Sequence, residues 1–408
     1  MPRVHVRLRA HTLHAAYAMM QALTLLHLVF ESEDTEDLVT GAQIVGQLVV
    51  VYARYARTTP NSNNRLRSLN ACFQRFSDQQ CLEMFRFDHD GLNELVQHLG
   101  IPECVSIPCA HLRPNGSREE TAINTTRDEL ILIMLRRMTY PSRWCELEME
   151  LGLSEASLSR CFDWTIQFLT NKYGHGLEDP SRWYEYAGEW ANAVYQASGH
   201  IVHNIIGMLD GTCRKMRRPT NSEADAGVDV QREFYSGHHR VHCLKFQTVT
   251  AACGLIIHLF GPINGRRHDG YLLRKSNLMA HVERLTDLAG LHYIVFGDSA
   301  YPTNEFMCHM NKGSGLSDPQ IAFNNTMSKY RVTVEWGYRD IIEQFAFVDF
   351  EKNLKLFLQP ISSYFKVAAL LTNCRTCMPT SNHTNRTACH FNCLPPMDLR
   401  TYLRTLEQ

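Results

Sequence analysis

The chain has little surplus of charge of either sign: 41 Lys and Arg stand against 42 Asp and Glu, for a formal net charge of −1. A global basic surface that would hold nucleic acid unaided is therefore excluded, which leaves room only for a local basic channel. Low-complexity tracts and internal repeats are absent, so a solenoid or a disordered tail is not expected. No short, regular cysteine framework is present; the 14 cysteines are scattered, and in a chain of 408 residues they read as reduced thiols of an intracellular protein. An uninterrupted spanning run is missing as well. Residues 13–30 carry no formal charge, but His14, Gln21 and His27 interrupt them and Glu31, Glu33 and Asp34 follow where a cleavage site would be needed. A partly buried helix is expected there, with no membrane partner.

What is present is a soluble, globular composition, 44% hydrophobic and 20% charged, long enough for two or three domains. Residues 57–70 are polar and turn-rich and read as a linker. Helical spacing then appears at 78–100, with Asp90 as the expected cap and Gly100 as the stop, and 108–122 reads as a polar connection. The run DELILIMLRRM predicts an amphipathic helix. WCELEMEL predicts a short one, and Gly152 and Ser154 precede a longer helix, EASLSRCFDWTIQFLTNKYG. Short helix, glycine-containing turn, longer helix is the helix-turn-helix plan, which would set Ser157 and Arg160 in a DNA groove; a small helical domain without DNA contact is the competing reading.

From about residue 200 the pattern changes. HIVHNIIGMLDGT ends in Asp-Gly, CLKFQTVTAACGLIIHLFGPI reads as two strands around Cys253-Gly254, and YLLRKSNLMAHVERLTDL as a helix. HYIVFGDSAYP is a short apolar strand, and MSKYRVTVEWGYRDIIEQF a second helix with a β-rich start. This order predicts a mixed α/β sheet covered by helices.

Three acids stand at the ends or on the faces of these elements: Asp210, Asp298 and Glu335. An acid at the end of a buried strand projects into the crevice where α/β folds bind ligands. Converging carboxylates repel, and either one takes up a proton or hard divalent cations bind between them. Taken singly, each acid has an ordinary structural explanation, since Asp-Gly is a turn dipeptide and a helix glutamate is commonly solvated.

Taken together, MLDGT, YSGHHRVHCLKFQTVTAACGLIIHLFGPINGRRHDG, VFGDSAYP and FNNTMSKYRVTVEWGYRDI resemble successive blocks of the PIF/Harbinger group of DDE transposases. RFDHDGLNELVQHLGIPE and LRRMTYPSRWCELEMELGLSEASLSR are similar to that group's upstream helical region, so the resemblance covers about residues 80–402. It implies a ribonuclease H-like mixed sheet with flanking helices, preceded by an all-α helix-turn-helix-like domain. The expected division is an extension and linker over 1–77, a helical domain over 78–195, a nuclease domain over 196–371 and a cysteine-containing tail over 372–408. The implied activity is metal-dependent DNA cleavage and strand transfer by a DDE triad of Asp210, Asp298 and Glu335, with two Mg²⁺ or Mn²⁺ ions. A nuclear location follows from that substrate; the resemblance also implies a separate Myb-like DNA-binding partner, and a homo-oligomer is a further candidate. The alternative is a domesticated nuclear protein that binds DNA or such a partner without cutting.

Accessory roles are expected nearby. Asp269 in GRRHDG either positions metal or DNA or caps the helix that follows. Arg214, Lys215, Arg217 and Arg218 follow Asp210 and would meet phosphates, or else form an exposed loop. Arg331 and Arg339 flank Glu335 at helical spacing, aimed at the scissile region or paired with Glu335 itself. The His238, His239 and His242 group reads as a polar strand entry. In the tail, Cys374, Cys377, Cys389 and Cys393, with His383 and His390, are a weak candidate for one structural Zn²⁺, disfavoured by the CxxxC spacing.

Overall fold

A computed structural model describes residues 65–112, 118–220, 229–298, 301–302, 304–378 and 385–407. The expected helix at 13–30 and most of the expected linker fall outside them, as does His383. Among the described residues, no helix is long and apolar enough to cross a membrane.

Three short helices begin the described chain: α1 (Leu69–Arg75), α2 (Asp78–Phe85) and α3 (His89–His98). Asp88, and not Asp90, caps α3, accepting from the Gly91 backbone N–H at 2.8 Å, because the helix begins one residue before Asp90 and leaves that side chain inside the first turn. The polar stretch read as a connection forms an antiparallel hairpin, β1 (Cys104–Leu112) with β2 (Arg118–Thr126). The expected all-α domain over 78–195 is corrected to that extent: alternation of Val105, Ile107 and Cys109 inward was masked by the intervening polar residues.

Helix α4 (Arg127–Thr139) follows, capped by Thr126. It is buried nearly all round and not amphipathic, so it runs through the core. Next come α5 (Trp144–Leu151) and the long α6 (Glu155–Glu178). Leu66–Arg143 and Ala156–Gln408 form one compact unit, to which Trp144–Glu155 do not belong. Within this unit, α6 packs Phe162 edge-on against Phe347 with ring centroids 5.5 Å apart, and Tyr173 donates to the Leu99 carbonyl at 3.0 Å. Arg86 reaches the Gln344 carbonyl at 2.9 Å. The upstream helices that belong to this unit thus share one core with the sheet.

A 3₁₀ turn (Pro180–Tyr186) and α7 (Ala187–Ala197) lead into β3 (Ile205–Lys215), then α8 (Val230–Phe234), β4 (Tyr235–Ser236), β5 (Val241–Thr250) and β6 (Ile256–Asn264). The expected turn between β5 and β6 is present, with Gly254 at φ +84°, a value a side chain would strain. The helix expected over 271–288 is two, α9 (Asp269–Ser276) and α10 (Leu278–Ala289), broken where Asn277 turns left-handed at φ 56°. Strands β7 (Ile294–Gly297) and β8 (Met307–Cys308) complete the sheet. Helix α11 (Asp318–Gln344) absorbs the β-rich start expected near Arg331, because tertiary packing overrides the weak preference of its β-branched residues. Helices α12 (Ile361–Thr376), α13 (Arg386–Phe391) and α14 (Leu399–Glu407) end the chain.

The sheet is mixed, as expected. β3 lies at its centre, antiparallel to β5 and parallel to β7; β6 and β4 pair with β5, and β8 with β7. The outer edge of β6 is closed by a side chain: buried Asn373 of α12 accepts from the Ile256 N–H at 2.9 Å and donates to the Ile256 carbonyl at 2.8 Å.

His258 on β6 is fully buried; its Nδ1 meets the Glu178 carbonyl at 3.0 Å and its Nε2 has no hydrogen-bond partner among the described residues. Burial pushes its pKa down to about 4 from an ordinary 6.5, with the Glu178 carbonyl opposing in part. Below pH 6.5 the unfolded chain takes up a proton that the folded chain refuses, so stability is full above that pH and declines as pH falls toward 4. The full loss amounts to about 3–4 kcal/mol at roughly 1.4 kcal/mol per pH unit. Urea midpoints measured from pH 7.5 to 4 should fall less steeply for His258→Gln than for the native chain; equal slopes would show that this histidine is not responsible.

Candidate active site

The expected end of β3 at Asp210 is corrected: hydrogen bonding to β5 carries the strand on to Lys215. It is the parallel neighbour that stops. Leu209 pairs with Gly297, the last residue of β7, so Asp210 and Asp298 leave that register together, one inside a continuing strand and one just past the end of its neighbour. β-ladder geometry alone sets them side by side.

Glu335 arrives on α11, which is fastened to the same strand. The Tyr338 hydroxyl, from a ring buried in the core, donates to the Asp210 carbonyl oxygen. The residue before it, Gly337, lies so close to β5 that a Cβ there would stand 2.7 Å from Thr250 Oγ1. Glu335 and Tyr338, three residues apart, share a helix face, so the contact that fixes Tyr338 also carries Glu335 toward Asp210.

Asp269 is the fourth acid. His268 is the N-cap of α9 and Asp269 its first residue, so the capping role for Asp269 is set aside. Its Oδ1 instead accepts from Lys245 Nζ on β5 at 3.2 Å. Gly211 leaves room for this: a Cβ there would lie 3.3 Å from Asp269 Oδ1 and 3.0 Å from Tyr301 Oη.

The electrostatics follow. Asp210 Oδ1 accepts from the Gly211 N–H at 2.8 Å. Burial, with the charges of Asp298, Asp269 and Glu335 adding to it and the Gly211 N–H opposing, pushes the Asp210 carboxyl up to about 7. Tyr301, 3% exposed, is held far above the ordinary tyrosine range by burial first, then by Tyr338, Asp269, Asp210 and Asp298, so its hydroxyl stays protonated. The donors are all oxygens, the chemistry a hard divalent ion selects, and a cation would relieve the cost of ionising Asp210. As placed, no three of the described His, Cys, Asp or Glu side chains are gathered closely enough to grip one ion.

The remaining candidates fall as follows. Arg214 is turned inward, with its guanidinium bonded to Asp349 at 3.2 Å and to Thr212, above the Phe365 ring. Lys215, Arg217 and Arg218 are exposed, and Arg218 donates twice to Gln231. Arg339 is exposed and paired with Glu343, so an ion pair with Glu335 is not what it makes. Arg331 lies on α11, and its side chain is outside the description. Ser157 and Arg160 are half-buried on the first two turns of α6, an element that carries none of the four acids. Trp336 packs edge-on against His390. In the tail, Cys374, Cys377 and Cys393 are buried and Cys389 is exposed.

Sequence reasoning missed Lys245, Tyr301 and Tyr338. Tyr301 sits in the same GDSAYP block as Asp298, the one signal that could have found it. It also missed a covalent link. Cys213 on β3 and Cys243 on β5, one diagonal apart in register, form a disulfide with Cα atoms 5.9 Å apart, which corrects the expectation that every thiol is reduced.

Residues 209–373 match the family model described as DDE superfamily endonuclease, a span that holds Asp210, Asp269, Asp298 and Glu335. No curated protein and no solved structure matches the chain. The match supports a transposase-type nuclease acting on DNA in this part of the chain, and the mixed sheet is consistent with such a fold.

The disulfide gives a direct test. Alkylation of the denatured, unreduced protein should block 12 thiols, the number of free cysteines, and mass mapping should recover the Cys213 and Cys243 peptides joined. Reduction should lower the stability by about 3–4 kcal/mol for a closed loop of this size. Fourteen blocked thiols before reduction would show the pair to be open.

Proposed function

We propose that the chain is a PIF/Harbinger-type transposase whose nuclease core, a ribonuclease H-like sheet, cuts and joins DNA at a site made by Asp210, Asp298 and Glu335. The observation that carries this reading is the register that sets Asp210 beside Asp298: with Asp269 and Glu335 near, the half-buried Asp210 carboxyl is pushed up to about 7, a place built for positive charge.

Asp210, Asp298 and Glu335 would hold the ions, Mg²⁺ or Mn²⁺, after rotation of their side chains toward one another. Such ions, when bound, activate the attacking water or 3′-hydroxyl and stabilise the leaving oxygen of an in-line phosphoryl displacement. The rest is done by the chain. β3 and β7 set the separation of the two aspartates, Tyr338 holds the helix of Glu335 against β3, and Lys245 pairs with Asp269. Lys215, Arg217 and Arg218, exposed at and just past the end of the same strand, would take the phosphates of the flanking DNA, as Arg339 would from α11.

The substrate gives a nuclear location, and the net charge of −1 favours a Myb-like partner that supplies sequence recognition, with a homo-oligomer to hold two transposon ends. A second reading, a domesticated nuclear protein that binds DNA or such a partner without cutting, is favoured by the spacing of the acids, which are not gathered around one point.

The two readings separate in a cleavage assay on terminal-repeat DNA with Mn²⁺, with the partner present. Native protein should cut, and Asp298→Asn should fall to background with its fold and DNA affinity retained. Binding without cutting by folded native protein would sink the transposase reading in favour of the second.

A further inference from the structure

Tyr301 is the least expected member of the acid cluster. It follows Asp298 by three residues, and its backbone N–H closes a turn onto the Asp298 carbonyl at 3.0 Å, so ring and carboxylate are set by one short segment. The side chain is 3% exposed, yet its hydroxyl finds no hydrogen-bond partner among the described residues. That hydroxyl stands 3.0 Å from where a Cβ on Gly211 would be, a point 3.3 Å from Asp269 Oδ1, and Tyr338, Asp269, Asp210 and Asp298 all bear on it electrostatically.

Two acceptors nearby are already engaged. Asp210 Oδ1 takes the Gly211 N–H and Asp269 Oδ1 takes Lys245. A buried phenol left without a partner costs free energy, and packing alone would be served better by phenylalanine. A hydroxyl kept in such a place among carboxylates has a different use: it is a neutral donor, able to meet an oxygen brought into the cluster without adding charge to it.

We propose that Tyr301 is a catalytic residue whose hydroxyl donates a hydrogen bond to a non-bridging oxygen of the scissile phosphate. This rests on the nuclease reading above and extends it to a residue outside the acid triad. Tyr301 keeps its proton throughout: charge building on the phosphate oxygens in the transition state strengthens the hydrogen bond, and no bond to the tyrosine forms or breaks. The smallness of Gly211 belongs to the same device, since a Cβ there would press on the hydroxyl.

The test uses the full chain, with Tyr301→Phe beside native protein and Asp298→Asn. Three quantities are read: cleavage rate at saturating terminal-repeat DNA with Mn²⁺, the KM for that DNA, and the melting temperature with neither metal nor DNA. Tyr301→Phe should lower the rate about 100-fold, the scale of one lost oxyanion donor. Its KM should stay within about twofold of native, since a hydrogen bond that strengthens only in the transition state leaves ground-state binding alone. Its melting temperature should be unchanged or higher, because an unpartnered buried hydroxyl has been removed. A native rate in Tyr301→Phe, with Asp298→Asn silent, overturns this inference and leaves the nuclease reading intact. A lowered melting temperature with activity lost only in proportion to folded protein overturns it too, in favour of a structural role. Silence of native protein, folded and DNA-bound, overturns the nuclease reading and this inference with it.

Discussion

Burying one carboxylate beside others is unfavourable in any protein, and Asp210 is half-buried beside three. Much of the surrounding architecture opposes the motion by which the chain could relieve that strain. β3 is paired with β5 through Asp210 and with β7 as far as Leu209, so Asp210 cannot swing its backbone toward solvent. A disulfide joins β3 to β5 three residues farther on, and the Tyr338 hydroxyl holds the Asp210 carbonyl from the other side. What relief the structure supplies is partial: one N–H from Gly211 to Asp210, one ammonium from Lys245 to Asp269. The residual cost is what a bound cation would remove, and it amounts to stored affinity.

The same rigidity explains why so much of the helical region lies in the compact unit of the sheet. Helix α6 supplies Phe162 to the aromatic group of Phe347 and Tyr364, and Arg137 of α4 lays its guanidinium over the Phe347 ring. Phe347 directly follows the helix that carries Glu335. Packing of the upstream helices therefore bears on where that helix ends, a coupling through close-packed side chains of limited compressibility.

The sequence made legible those features that local chemistry dictates. IVFG before Asp298 is a strand because it is apolar, short and stopped by Gly-Asp, and Cys253-Gly254 turns because only glycine accepts the backbone required there. Illegible were features decided by distant partners. Asp-Gly after MetLeu reads as a strand end, yet β5 extends its pairing through it. Val332, Thr333 and Val334 favour a strand locally and are helical because the helix packs on β3 and β5. The hairpin at β1 and β2 hides behind polar residues on its outer face. Lys245, Tyr301 and Tyr338 each act across elements far apart in the chain, so spacing alone could not join them to Asp210.

Because β3 is registered against two strands of opposite direction, its residues cannot be shifted by one without exchanging the faces presented to both neighbours. The connections between acid-bearing elements carry no such constraint, and loop closure penalises added length only weakly. The interval along the chain between one acid and the next is thus free to drift in descent, while the interval in space is not. A gene could lengthen the segment after β7, or insert a whole module after β3, and still deliver the same four side chains to the same place. An insertion of a single residue inside β3 would end the lineage of that site.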